Sequence, residues 1–128
     1  MEILIESTKK FEQDLEKFNN KNKFKIVKKL NRYVELLSKH KNLLENQAFK
    51  LKDIKLSADY ESSLYALIID KDIRLIITID DDPIFDVTVI TLFRVVNTED
   101  AAKAYASVAE SLYQDFSVQN QELEVRSN

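Results

Sequence analysis

The sequence predicts an α+β domain: a mainly antiparallel sheet in the order β-α-α-β-β-β-α, with an N-terminal helical hairpin and a C-terminal helix. Three observations lead there. Apolar residues recur at helical spacing between Phe11 and Leu37 and again after Asn97. Runs of β-branched residues with a period near two cluster between Leu64 and Val96. Short, aspartate-rich turns separate those runs, which makes consecutive strands antiparallel neighbours and leaves the helices to cover the sheet.

The opening residues, Met1 to Glu6, alternate as a short strand, and Ser7 is placed to cap a helix after it. Phe11, Leu15 and Phe18 then define a first amphipathic helix that stops at Asn19 and Asn20. Phe24, Val27, Leu30, Val34 and Leu37 mark a second, longer helix, and the short asparagine turn makes the two an antiparallel hairpin. From Lys39 to Ser62 the pattern weakens into an irregular connection that carries Lys50, Lys52 and Lys55. "LYALIID" and "DIRLIITID" read as a β-hairpin around Lys71, and "DDPIFD" makes the next turn with Pro83 preset for it. "FDVTVITLFRVV" is apolar on both faces and so belongs in the middle of the sheet. In "NTED", Asn97 or Thr98 caps the last helix, whose stripe is Ala101, Ala104, Tyr105, Val108, Leu112 and Phe116. One domain over residues 1–116 is expected, with 117–128 a polar, disordered tail.

Composition removes several kinds of chemistry. The 128 residues suit one domain. With no cysteine and one histidine, zinc and thiolate chemistry are excluded; with no glycine, so are the Gly-rich phosphate loops. No cofactor and no metal site is expected. No apolar run is long enough to span a membrane and no signal-like start is seen, so the expected location is the cytoplasm. The net charge of -3 is unevenly spread: residues 1–56 hold 14 basic and 8 acidic side chains, residues 57–128 hold 5 and 14. A basic half of this kind is either a solvated helical surface or a face that meets a polyanion.

Within the strands, Arg74 stands out as a charge in an apolar run. Alternation places it with Ile76 and Thr78, opposite Ile73, Leu75, Ile77 and Ile79, and places Arg94 with Ile90 and Leu92. Arg74 then pairs with Asp70, Asp72 or a carboxylate across the sheet, meets phosphate or RNA, or contacts a partner; for Arg94 the pairing carboxylate is Asp80 or Asp86. The aspartates of "IDDDP" read as turn residues rather than a cation site. His40 sits at the end of the second helix, Tyr65 is suited to sheet packing, and Tyr105 belongs to the helical stripe.

Three segments in this order resemble the RelE/ParE superfamily, the toxins of type II toxin-antitoxin pairs. They are "ILIESTKKFEQDLEKF", "FKLKDIKLSADYESSLYALIIDKDIRLIITID" and "VTVITLFRVV", together covering roughly residues 1–96. The resemblance implies a RelE/ParE-like fold and a toxin, in the first instance a ribosome-associated endoribonuclease that cleaves mRNA by 2'-oxygen attack without a metal. Such chemistry needs fixed cations around the scissile phosphate. The family's strand-starting arginine falls on Arg74 and the basic residue ending its last strand on Arg94. These are the expected catalytic pair, with Lys50, Lys52 and Lys55 as RNA-backbone contacts. The implied partners are a cognate antitoxin protein and, for a nuclease, mRNA and the ribosome; a homodimer is left open, and no membrane is implied. Ala66 and Ile68 stand where the family nucleases carry strand lysines, and the C-terminal tyrosine or histidine is unmatched. The alternative is therefore a non-catalytic binding module on the same scaffold, either a gyrase-inhibiting ParE-like toxin or an interaction protein.

Overall fold

The computed structural model describes residues 2–39, 48–49, 64–82 and 84–112. Along the chain come β1 (Glu2–Ser7), α1 (Lys9–Glu16), α2 (Asn20–Lys39), β2 (Ala48–Phe49), β3 (Leu64–Ile68), β4 (Ile73–Asp82) and β5 (Val87–Asn97). A 3-10 turn, Thr98–Asp100, then leads into α3, residues 101–112. The fold is α+β as expected. The order differs from the expected one by the two-residue β2, which joins the four main strands at one edge to give β1-β5-β4-β3-β2. The sheet is mixed: β3, β4 and β5 meander antiparallel, and β1 lies parallel to β5.

Local chemistry explains the element boundaries. The cap of α1 is Thr8, not Ser7: its Oγ1 accepts from the Phe11 N–H at 3.1 Å, while Ser7 is still in β1 opposite Leu92. The Thr8 hydroxyl also donates to the Phe93 carbonyl at 3.0 Å, so the cap binds α1 to β5 as well. Asn19 caps α2 through Oδ1, which accepts from the Asn22 N–H at 2.8 Å. Among the described residues α1 packs chiefly on β5, so a mutual α1–α2 hairpin is not the main contact of that helix.

The buried face of α2 is Ile26, Leu30, Tyr33 and Leu37. Phe24 and Val27, expected inside, are 69% and 48% exposed. The stripe lies one step round the helix from that expectation because Tyr33, an amphipathic residue, takes the core position. Its ring is buried and its hydroxyl donates to the Ile68 carbonyl at 2.7 Å.

The sheet is covered on both faces. Ile73, Leu75, Ile77 and Ile79 of β4 join Phe11 and the α2 stripe in one core, with Leu67, Ile90, Leu92 and Val95. Leu64, Ala66, Ile76 and Val96 form a second core under Ala101, Ala104, Tyr105, Val108 and Ala109 of α3. The Tyr105 hydroxyl donates to the Leu64 carbonyl at 2.9 Å and so fixes α3 over β3. The side of β4 that carries Arg74 and Ile76 is thus the floor of a second core, not an open face.

At the β4–β5 turn the aspartates make local hydrogen bonds. Asp82 Oδ1 accepts from the N–H groups of Ile84 and Phe85 at 3.0 and 3.3 Å, Asp81 Oδ1 accepts from the Thr88 hydroxyl at 2.7 Å, and Asp86 takes a left-handed φ of 55°. Phe85, read as the start of the last strand, lies in this turn and is 74% exposed. At the end of β5 the Thr98 N–H and hydroxyl donate to the carbonyls of Asp72 and Lys71, both at 2.8 Å. Asn97 makes no side-chain cap hydrogen bond, and the chain enters α3 through the 3-10 turn. Phe116 and residues 117–128 lie outside the described residues. No helix among the described residues is long and apolar enough to cross a membrane.

Burial raises the ionisation of Tyr33 above its ordinary value of 10.0, against a smaller lowering by the charge of Arg74. The unfolded chain therefore loses this proton first, and the stabilisation is complete below about pH 10 and lost as pH climbs through the higher folded value. Tyr33→Phe is expected to cost about 1 kcal/mol at neutral pH in urea unfolding. The gap between the two proteins should close as pH rises past 10.0, the unperturbed value.

Candidate functional site

The C-terminal part of β5 organises the candidate site. β1 ends opposite Leu92, so beyond that residue β5 has no strand on its β1 side. One turn of α1 stands there instead. The register of β4 against β5 shifts between Ile76 and Ile77, which face Arg94 and Leu92, making Phe93 the extra residue of a β-bulge. The bulge reverses the alternation. Leu92 and Val95, three apart, both face α1 and α2, whereas Phe93 and Val96 face α3. Arg94 is consequently not on the face of Ile90 and Leu92, where simple alternation puts it; it stands across from Ile76.

Arg94 reaches the open edge of β5 and meets Asp14 of α1. Its Nε donates to Asp14 Oδ2 at 2.6 Å and its Nη2 to Oδ1 at 3.1 Å, a bidentate fork. Asp14 is only 5% exposed, and its Oδ2 also accepts from the Val95 N–H at 3.2 Å. Three donors therefore satisfy a carboxylate set among Phe11, Leu15 and Phe18 on the apolar face of α1. Arg94 pairs with neither Asp80 nor Asp86, the carboxylates expected for it. Asp80 lies opposite Val89 and Asp86 in the turn, both toward the other end of β5.

Around this pair opens a cleft of about 690 Å³ between α1, the end of β5 and α3. Lys10, Asp14 and Lys17 line it from α1, and Asp100, Lys103 and Ser107 from the α3 side. The three lysines are exposed, and none has a carboxylate within 4.0 Å among the described residues. An adjoining hollow at the β3–β4 turn is of different character: Lys25 and Lys71 face Asp70, Asp72 and Glu99, and Lys25 Nζ lies 3.6 Å from Asp70 Oδ2.

Arg74 is elsewhere. Half-buried, it donates through Nη1 to the carbonyls of Asp70 and of Ile73, the latter at 3.1 Å. The expected partner, a carboxylate of Asp70 or Asp72, is replaced by the backbone of the turn; the Asp70 carboxylate accepts instead from the Asp72 N–H at 2.8 Å. Arg74 lies opposite Val96 and Arg94 opposite Ile76, so the two arginines occupy adjacent strands in offset register. Only Arg94 lines the cleft. Ala66 lies fully buried in the core under α3, and Ile68, at the end of β3, is 39% exposed. Lys50, Lys52, Lys55 and His40 lie outside the described residues. Tyr65 packs against the core on the α2 side and Tyr105 is buried in the other, as sheet and helix packing predict. Among the described residues no group of three or more histidine, cysteine or acidic side chains is placed to hold a metal.

Sequence reasoning missed Asp14, Lys10, Lys17 and Lys103. A signal for Asp14 exists: it falls on the apolar stripe of α1, three residues after Phe11, where a carboxylate requires a partner. A signal for the bulge exists too, since the apolar positions 90, 92 and 95 break strict alternation.

No protein-family model matches the chain, and no curated protein matches it either.

Removing one member of a buried pair leaves the other charge uncompensated. Asp14→Ala is expected to destabilise the protein by about 3 kcal/mol in urea unfolding, more than Asp14→Leu combined with Arg94→Met, which removes both charges and keeps the volume.

Proposed function

We propose that the chain is a RelE/ParE-like module of the toxin class that acts in the cytoplasm by binding a protein partner, not by cutting RNA. One observation carries this reading: the two arginines expected to stabilise phosphate charge do not converge on one space, since only Arg94 lines the cleft, and each is engaged along one side within the fold. Arg74 holds the β3–β4 turn through the carbonyls of Asp70 and Ile73, and Arg94 is gripped by Asp14. Transition-state stabilisation needs several cations converging on one phosphate. On the sheet face that carries Arg74, α3 packs over Ile76 and Val96. A cognate antitoxin is the first partner of such a module, and a gyrase-type target the second.

The ribosome-associated endoribonuclease remains as a second reading because Lys10, Lys17 and Lys103 surround Arg94 in the cleft. The two readings differ in one experiment. On induction in a bacterial host the binding module arrests growth while mRNA, followed by primer extension, stays intact. Arg74→Ala then lowers stability by about 1–2 kcal/mol, as loss of charge-assisted hydrogen bonds at a half-buried site does, and arrests growth as the wild type does once protein levels are matched. Cleavage of mRNA by the wild type that Lys17→Ala combined with Lys103→Ala abolishes, with the fold intact by circular dichroism, would establish the nuclease instead.

A further inference from the structure

We propose that the cleft between α1 and α3 binds the phosphate groups of a nucleotide or of a nucleic-acid strand, with Lys10, Lys17 and Lys103 as the charge and Arg94 as the oriented donor. This goes beyond the toxin reading and does not depend on it.

The Arg94 guanidinium is held along one edge. Asp14 takes its Nε and one Nη2 hydrogen, which fixes the plane of the group. Nη1 has no partner among the described residues, yet no buried side-chain nitrogen or oxygen of those residues lacks one, so Nη1 is open to solvent. Arg94 lines the cleft, which therefore receives a planar donor edge held in place by a buried carboxylate. A guanidinium fixed along one edge suits an oxyanion on the other, and phosphate oxygens match that fork.

The lysines supply what one arginine cannot. Lys10 and Lys17 lie two turns apart on one side of α1, with Asp14 between them, and Lys103 stands across the cleft on α3. Four cations line a space that holds two carboxylates, and one of those, Asp14, is already engaged by Arg94. That concentration occurs in a chain whose net charge is -3. Like charges gathered without partners repel one another, a cost that an anion between them reverses. Asn22 and Ser107 add neutral hydrogen-bonding groups to the same walls. The volume, about 690 Å³, lies in the range of small-ligand sites.

The full chain is titrated with two probes, adenosine 5'-monophosphate by NMR shift perturbation and a fluorescein-labelled single-stranded oligoribonucleotide by anisotropy. Expected is saturable binding that weakens as salt rises. The double variant Lys17→Glu with Lys103→Glu should lose about tenfold or more in affinity, whereas Lys28→Glu with Arg32→Glu, the same change of charge on exposed α2 positions, should lose less than about threefold. Circular dichroism checks that both variants are folded. Binding of the two probes with similar affinity identifies the free nucleotide as sufficient; a strong preference for the oligonucleotide identifies the strand. Equal losses in the two variants, or no binding of either probe to the wild type, would overturn the proposal.

Discussion

The arrangement of this protein depends on one carboxylate. Asp14 lies buried on α1 at the point where β1 has ended, and there it takes the place of a neighbouring strand for β5. A β-strand edge has N–H groups that must be satisfied, and a buried carboxylate has lone pairs that must be satisfied. The Val95 N–H and the Arg94 fork meet both needs at once. Thr8 does similar work at the other end of the helix, capping α1 with one lone pair and donating to the Phe93 carbonyl. Between them these two side chains fix α1 on β5, and the bulge at Phe93 turns Arg94 toward the edge where Asp14 lies.

Coverage of the sheet on both sides follows from the same strands. Each of the three central strands is apolar on both faces, so each needs two coverings. α1 and α2 supply one and α3 supplies the other. Among the described residues, α3 covers the Arg74 side of β4 at Ile76. The concave space lies instead at the side of the sheet, where α1 and α3 flank the free edge of β5. Functional groups on such a rim come from helix surfaces, and the exposed lysines of the cleft are of that kind. Their positions are set by helices that are themselves tied down by the buried pair and by Tyr105, so the rim is held by structure beneath it.

Arg74 and Arg94 show how a strand charge is resolved. Both sit in apolar runs, and both engage part of the guanidinium inside the chain: Arg74 on carbonyls of its own hairpin, Arg94 on a carboxylate from a helix 80 residues earlier. The local solution was readable in outline, since a turn of "IDKDI" brings carbonyls within reach of a neighbouring strand. The distant one was not, because nothing near Arg94 in sequence points to α1.

Periodicity and turn chemistry determined by themselves the α+β class, an interior place for β5, the hairpins on either side of β4 and the turn role of the aspartates. These are short-range matters, decided by which residues alternate and which ones bend the chain. The face of α2, the two-sided core, the reversal of alternation at Phe93 and the meeting of Arg94 with Asp14 were decided by tertiary structure. Each of those depends on elements far apart in sequence competing for the same surface. Phe24 and Val27 gave way to Ile26 and Tyr33, because a tyrosine that can hydrogen-bond Ile68 through its hydroxyl fills the core position at α2. The cleft has the same origin: Lys10, Lys17 and Lys103 are ordinary helix-surface lysines until the fold sets α1 and α3 on opposite sides of one strand edge.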